Sequence, residues 1–313
     1  MEVADASFLA PPGEVADWRM VLLFDAAAEA GLLARLPAGA AELAAATDLD
    51  AHGIAVVLDA LAAWGIVEVS PNGYSTGANV PGPELAAVLR HHARALRGWS
   101  TSVPDRLRGA AVDQSGSARA QPEVFLDALG AGARRAAPGI VDLCLERLPR
   151  ARRVLDLGGL HGEYSLEFAR RGVGATMQDL PTMVDILEGR GVLDDSGVEL
   201  FAGDFFETMP DGPFDLVLCA GITHTFDAGR NMELYGKVRR VLAPGGAIAV
   251  VTFLRRRHPM AAVFAVQMLA NCRGGDTHGE EEYRAWLSAA GFGEMEVVDL
   301  HGRAQSLLMA SAS

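Results

Sequence analysis

The chain has 313 residues, half of them hydrophobic, and a net charge of −13. That length holds one large or two modest domains with a sizeable core, and the acidity argues against a nucleic-acid or anionic-membrane partner. Met1 to Ala10 contains Glu2 and Asp5 and no basic residue, no 18-residue uncharged apolar run appears, and Cys144, Cys219 and Cys272 lie far apart without metal spacing. These features exclude a signal peptide at this end, a helical membrane span and a cysteine metal centre, and they fit reduced thiols in the cytoplasm.

The spacing predicts a helix over Glu14–Leu36, with Val15, Trp18 and Leu22 on one stripe, and a short helix over Ala41–Ala46. Asp50 is placed to cap a third helix carrying Ile54, Val57, Leu58 and Leu61. A strand at Val67–Val69, a Pro71-Asn72-Gly73 turn and a return strand from Tyr74 follow. Helix, turn, helix and hairpin is the winged-helix order. Residues 1–80 carry eleven acids against Arg19 and Arg35, a net of −9, and His52–Trp64 has no Lys or Arg. Phosphate contacts need cations, so this part reads as a packing or dimer module.

Pro83 to Leu148 reads as helical, broken at Pro104, at a Gln114–Ser117 linker and at Pro122. The arginines at 147, 150, 152 and 153 form either a basic patch or a solvated approach to the next strand. That strand, Val154–Leu157, meets a glycine turn at Gly158, Gly159 and Gly162, then a helix with Tyr164 and Phe168 ending at Gly172. A second strand, Ala175–Gln178, ends at Asp179, which lies 23 positions after Asp156. Glycines admit a ligand to a helix N-terminus, and an acid at that separation accepts hydrogen bonds from ribose hydroxyls. Position 160 is Leu, so the second glycine of the dinucleotide pattern, the one that admits a pyrophosphate, is missing. A turn of the form D-x-G-G-x-x-G suits S-adenosylmethionine better. A tight turn with no ligand is the alternative.

The alternation continues with strands at Val198–Phe201, Phe214–Cys219 and Ala247–Phe253 and helices at Asn231–Leu242, Pro259–Leu269 and Glu280–Ala290. Pro244-Gly245-Gly246 closes the first of these helices, and two strands, Met295–Val298 and Ser306–Met309, end the chain. The fold class expected is α/β, a doubly wound Rossmann-like sheet with its site at the strand C-terminal ends, preceded by the helical module. The expected boundary is 1–100 and 101–313.

The phrases VLDLGG, QDLP, AGDFFETMP, THTFD and VLAPGG, with Glu282-Tyr283-Arg284 running to Ala290-Gly291-Phe292, resemble the caffeate/hydroxyindole small-molecule O-methyltransferase family, over roughly residues 14–313. The resemblance implies a class I, S-adenosylmethionine-dependent enzyme acting on a hydroxyl of a small aromatic metabolite, as a homodimer held by a winged-helix front module; no carboxylate/His cluster with ligand spacing appears, so no metal is expected. It implies Gly158 and Gly159 at the methionine part, Asp179 at the ribose, Leu180 beside the adenine, Asp204 and Phe205 at the adenine amino group and ring, and Ala220 lining the methionine. Asp204 as a helix cap and one of Phe205 and Phe206 as plain core are the structural alternatives.

His224 falls where the family's proton-abstracting histidine stands. A phenol has a pKa near 10, so a positioned imidazole contributes about 10²–10⁴-fold. Three departures accompany it: Thr225 replaces the family's Asp, and Thr252 and Thr277 stand where flanking glutamates are expected. His278 is either a replacement polar group near the substrate or an exposed loop residue. Arg255-Arg256-Arg257-His258 either attracts an anionic substrate or is a solvated loop. The rival functions are a non-methylating relative that keeps the cofactor, hydroxylase-like or pericyclic, and a winged-helix regulator sensing S-adenosylmethionine.

Overall fold

A computed structural model describes residues 18–111 and 122–312. The chain divides into two compact units, Met1–Arg97 and Gly98–Ser313.

In the first unit, α1 (Trp18–Glu29) is followed by a 3-10 turn (Leu33–Arg35), α2 (Ala40–Thr47), α3 (Ala51–Ala62), β1 (Val67–Ser70) and β2 (Gly73–Thr76). The strands pair antiparallel, Val67 opposite Thr76 and Ser70 opposite Gly73, around Pro71-Asn72. Asp50 caps α3 by accepting from the Gly53 amide at 2.6 Å. Val21 and Phe24 of α1 pack with Leu43, Ile54, Leu58 and Leu61. The expected stripe is therefore corrected: Trp18 is 61% exposed, and the buried face turns on Val21, Phe24 and Ala27. Val15 lies outside the described residues. Asp25, inside this core, ion-pairs with Arg90 at 3.2 Å and with Arg97, so the buried charge is compensated.

Helix α4 (Pro83–Leu107) runs through Pro104 without breaking. A proline this close to the C-terminus deletes one backbone bond, and only the last turn lies beyond it. The Gln114–Ser117 linker lies outside the described residues. Pro122 starts α5 (Pro122–Arg147), where a missing donor costs nothing.

The second unit continues with β3 (Arg153–Leu157), α6 (Glu163–Arg170), β4 (Gly174–Asp179), α7 (Pro181–Arg190), β5 (Glu199–Ala202), β6 (Phe214–Ala220), α8 (Ala228–Val241), β7 (Leu242–Thr252), α9 (Pro259–Asn271), α10 (Glu280–Ala289), β8 (Phe292–Asp299) and β9 (Ser306–Ala312). The strand order is β5-β4-β3-β6-β7-β9-β8, parallel except for β9, which runs against both neighbours. The six residues between β8 and β9 are too few for a crossover, so this pair closes as a hairpin. Alternate residues of each strand face opposite layers. Leu155, Val217, Cys219 and Val250 pack with Leu234, Tyr235, Tyr283 and Leu287. Val154, Leu216, Leu218 and Ala249 pack with Ile140, Val141, Cys144 and Phe168 on the other face. Both faces are covered, which is why the central strands read as unbroken apolar runs.

Several boundaries differ from expectation: α1 ends at Glu29, before Gly31, and β8 starts at Phe292. Asp227 accepts from the Arg230 amide at 2.9 Å, so α8 starts three residues early. Pro244-Gly245-Gly246 lies within β7 rather than closing the helix, because Leu242 already pairs with Phe214 and the ladder shifts register before Ala247.

Arg152 and Arg153 donate their backbone amides to Asp215 at 2.7 and 3.0 Å, and the Arg153 guanidinium lies 4.8 Å over the Phe214 ring. Arg147 chelates Glu296. These three are thus engaged within the fold at the start of β3. Among the described residues no helix is long and apolar enough to cross a membrane.

Candidate active site at the strand ends

β3 ends at Leu157 and the chain turns through Gly158 (φ +66°), Gly159, Leu160 (φ +45°), His161 and Gly162 (φ +75°). A Cβ on Gly158 would stand 2.5 Å from Ile222 Cγ2, and one on Gly159 2.4 Å from Met177 Cγ. The glycines are therefore required by the packing of the turn itself, and the first brings it against the segment that carries His224.

Asp179, at the tip of β4, is the acid that organises this cradle. Its two carboxylate oxygens accept from the Leu160 amide at 2.9 Å and the Leu180 amide at 2.7 Å. Each oxygen keeps a second lone pair. Burial raises its pKa, and the two amides oppose that rise. Leu180, 48% exposed, stands at the N-cap of α7 beside it. The Gly203 amide donates to the Asp179 carbonyl at 2.9 Å, which ties in the turn holding Asp204. Asp204 accepts from the Phe206 amide at 2.8 Å, so one of its oxygens caps the local turn and the other is left. Phe205 and Phe206 are both half-buried, in contact at 4.9 Å, and both lie against Phe226. Phe206 has the Arg230 guanidinium 3.4 Å over its ring. Neither phenylalanine is fully enclosed core. Ala220 ends β6, whose neighbour is β3.

Beneath the turn, Asp156 is fully buried. Ser165 donates to its Oδ2 at 2.8 Å, and its Oδ1 has no partner. Burial pushes its pKa up to about 7, against the Ser165 bond and with help from Asp179. Gln178 escaped the sequence reading. Its Nε2 donates to the Gly203 and Thr208 carbonyls at 3.1 and 2.7 Å and so fixes the Asp204 turn to β4. Its place in QDLP was the only available signal.

His224 sits in a 3-10 turn, Thr223–Thr225, after β6. Its ring is 6% exposed, meets Phe264 edge-on at 4.7 Å and Phe253 at 6.4 Å, and those two rings stack at 4.2 Å. Nδ1 is buried without a hydrogen-bond partner. Burial, with His278 nearby, lowers the ring's pKa to about 3, so it is neutral at physiological pH. The three threonines hold other groups: Thr225 donates to the Ile222 carbonyl at 2.6 Å, Thr277 to the Ala261 carbonyl at 3.2 Å, and Thr252 is 3.3 Å from the Tyr283 hydroxyl. None orients the imidazole.

His278 is buried, not an exposed loop residue. Its Nε2 lies 2.8 Å from the Phe226 carbonyl. It ties the His224 segment to the start of α10. Asn231 and Tyr283 were also missed. The Asn231 amide donates to the carbonyls of Thr223, Phe226 and Asp227. The Tyr283 hydroxyl meets Thr223 Oγ1 at 2.9 Å. Arg255 pairs with Asp276, Arg257 with Asp299 and Glu280, and His258 accepts from the Met260 amide to cap α9. That run is thus committed to the fold.

The reversed strand beside an otherwise parallel sheet, with a glycine turn and an acid at adjacent strand tips, defines a class I α/β domain. Residues 140–293 match the O-methyltransferase domain family. It is similar to a tetracenomycin polyketide synthesis 8-O-methyl transferase of Streptomyces glaucescens, 27% identical over 305 residues, 87% of this chain and 86% of that one. It is also similar to a mitomycin biosynthesis 6-O-methyltransferase of Streptomyces lavendulae, 28% identical over 148 residues, 45% of this chain. There the match spans 42% of the relative, and for a peppermint flavonoid 4'-O-methyltransferase 53%, so the chain spans about half the length of these relatives. The human N-acetylserotonin methyltransferase structure in complex with S-adenosylmethionine superposes with a TM-score of 0.73 at 23% identity, covering 94% of each chain, a likeness of fold.

Proposed function

We propose that the protein is an S-adenosylmethionine-dependent O-methyltransferase acting on a hydroxyl of a small aromatic metabolite. The observation that carries this reading is the Asp179 cradle, in which the glycine turn and the strand-tip acid share hydrogen bonds. The unfilled acceptors there fit the ligand: one lone pair on each Asp179 oxygen and the second Asp204 oxygen suit a ligand bearing hydroxyls and amino groups. Gly158, Gly159 and Ala220 line its methionine part, Asp179 its ribose, and Leu180, Asp204 and Phe205 its adenine. Bound there, it supplies a methyl group on an electrophilic sulfonium.

His224 is the catalytic residue, receiving the acceptor's hydroxyl proton. Neutrality leaves its ring nitrogen free to do so, and the aromatic enclosure excludes water. Holding the reacting atoms in line supplies much of the remaining acceleration. The unit at residues 1–100 acts as a winged-helix dimerisation module for the catalytic unit at 101–313. Exposed Trp18, Val56 and Leu85 on its helices support burial against a second copy, and the free cysteines support a cytoplasmic setting.

Titration calorimetry with S-adenosylhomocysteine and methyl transfer from labelled S-adenosylmethionine to a panel of aromatic hydroxyl compounds of graded acidity test this. Binding and transfer are expected, and absence of binding refutes the reading. Sedimentation at micromolar concentration is expected to give a dimer.

A further inference from the structure

Resting on that reading, we infer that the acceptor is an acidic hydroxyl, an enolised 1,3-dicarbonyl or a hydroxyquinone, and not a simple phenol, because the site gives His224 no group that would hold a proton on it.

The charge balance around the ring carries the argument. Among the described residues no carboxylate hydrogen-bonds or ion-pairs with His224. Nδ1 is enclosed and unpartnered, so the usual relay that stabilises an imidazolium has no second member. The three positions from which such a member would come carry threonines, and their hydroxyls go to Ile222, Ala261 and Tyr283. The neighbours that ring contacts and hydrogen bonds give His224 carry no counter-charge, and Glu282, which lies 4.0 Å from His278 Nδ1, is not bonded to His224 itself. Phe253 follows β7 and Phe264 belongs to α9, and both present apolar rings. His278, before α10, turns Nε2 to the Phe226 carbonyl. Asp276 bonds His224 only through its backbone amide, while its carboxylate pairs with Arg255. An imidazolium formed here is buried without a counter-charge, and its depressed pKa of about 3 agrees. Taking a proton from a phenol of pKa near 10 is then far uphill, whereas a hydroxyl ionised at neutral pH makes almost no demand.

The step balances without further reagents. The hydroxyl proton leaves to His224, or has already left to bulk water before the acceptor binds. An oxygen electron pair forms the new O–CH3 bond as the S–CH3 bond breaks and its pair returns to sulfur. A neutral methyl ether and a thioether remain. The sequence carries no sign of this preference in His224 itself; the sign is the replacement of carboxylates at 225, 252 and 277.

The test compares two probes on one ring system, 2-hydroxy-1,4-naphthoquinone, which is ionised at neutral pH, and 1-naphthol, which is not. With the full-length protein and S-adenosylhomocysteine, the quinone should bind with the absorption band of its anion. With S-adenosylmethionine at pH 7 its kcat/KM should exceed that of 1-naphthol by about 100-fold or more, the low end of what base catalysis supplies. The kcat/KM profile for 1-naphthol should rise toward its own pKa. Equal kcat/KM for the two probes, or a quinone bound in its neutral form, overturns the inference alone. Failure to bind S-adenosylhomocysteine overturns the function beneath it as well.

Discussion

The two halves of the candidate site are built differently. At the ends of β3 and β4 the polar groups meet backbone amides within a few residues or across one strand pair: Asp179 takes Leu160 and Leu180, and Asp204 takes Phe206. Around His224 the polar groups meet partners far away in sequence: Thr223 and Thr252 with Tyr283, Phe226 with His278, and Thr277 with Ala261. The first half is a local device that needs particular residues at fixed spacing. The second is a product of packing among α8, α9, α10 and the ends of β6 and β7. The halves meet where Gly158 admits Ile222.

The largest expected effect breaks the local half. Asp179→Ala removes a charged acceptor whose hydrogen bonds to ligand are worth about 1.5–3 kcal/mol each, so calorimetry should show S-adenosylmethionine binding weakened by about 10–100-fold or more. The mutant should also melt earlier, because the Leu160 and Leu180 amides lose their partner. Unchanged affinity would remove Asp179 from the binding site.

Breaking the half around His224 should act on folding first. Asn231→Leu deprives three carbonyls of one side-chain donor, and a buried group left unpaired costs about 1–3 kcal/mol. Chemical denaturation should register a loss of that size. The cofactor affinity should stay within about threefold, since Asn231 touches none of the strand-tip turns. A specific loss of cofactor binding would merge the two halves into one cooperative unit.

This contrast also explains what was legible. The strand–turn–helix–strand unit, the parallel core strands and the Asp179 tip follow from apolar runs, glycines and one acid, each of which has a local physical meaning. The sequence misplaced the α1 stripe because Trp18 looks like core by type while the helix turns Val21 and Phe24 inward. It took Pro104 as a break because proline's cost is read without knowing how few turns lie beyond it. It misjudged β7 because a Pro-Gly-Gly phrase reads as a turn, whereas here a register shift absorbs it. It left His278 open between substrate and solvent because the Phe226 carbonyl it meets lies 52 positions away. Gln178 and the Asp25 ion pairs were invisible for the same reason.

A pH experiment sharpens the comparison further. His224 and His161 have folded pKa values lowered to about 3 and about 4, in both cases by burial first. The unfolded chain therefore binds these protons near pH 6.5 while the folded chain does not, so the stability they permit is present above about 6.5 and is lost progressively as pH falls toward 4. His224→Phe should flatten part of that decline, seen as a smaller drop in Tm between pH 7 and pH 5. Asp156 acts with the opposite sign. Its folded pKa of about 7 lies above the ordinary 3.8, so its burial weakens the fold as pH rises through that window. Asp156→Asn should raise Tm at pH 8 more than at pH 5. A variant that melts with the wild-type pH slope would show that these groups are solvated in the folded chain.

The smallest expected effect concerns Leu160, the residue of the turn whose type opposes its conformation. It is a half-buried Leu at φ +45°, in the left-handed region that costs a non-glycine about 1–2 kcal/mol. Leu160→Gly relieves that strain, but it adds about 0.5–1 kcal/mol of unfolded-state entropy and gives up the burial of part of a leucine, of order 1 kcal/mol. These terms nearly cancel, so the melting temperature should move by no more than a few degrees. The bond to Asp179 comes from the backbone amide, which glycine keeps. Affinity for S-adenosylmethionine should therefore stay within about twofold by calorimetry, against the 10–100-fold loss at Asp179. A tenfold change would mean that the leucine side chain itself contacts the ligand, and that the local half of the site depends on more than glycine spacing and one acid.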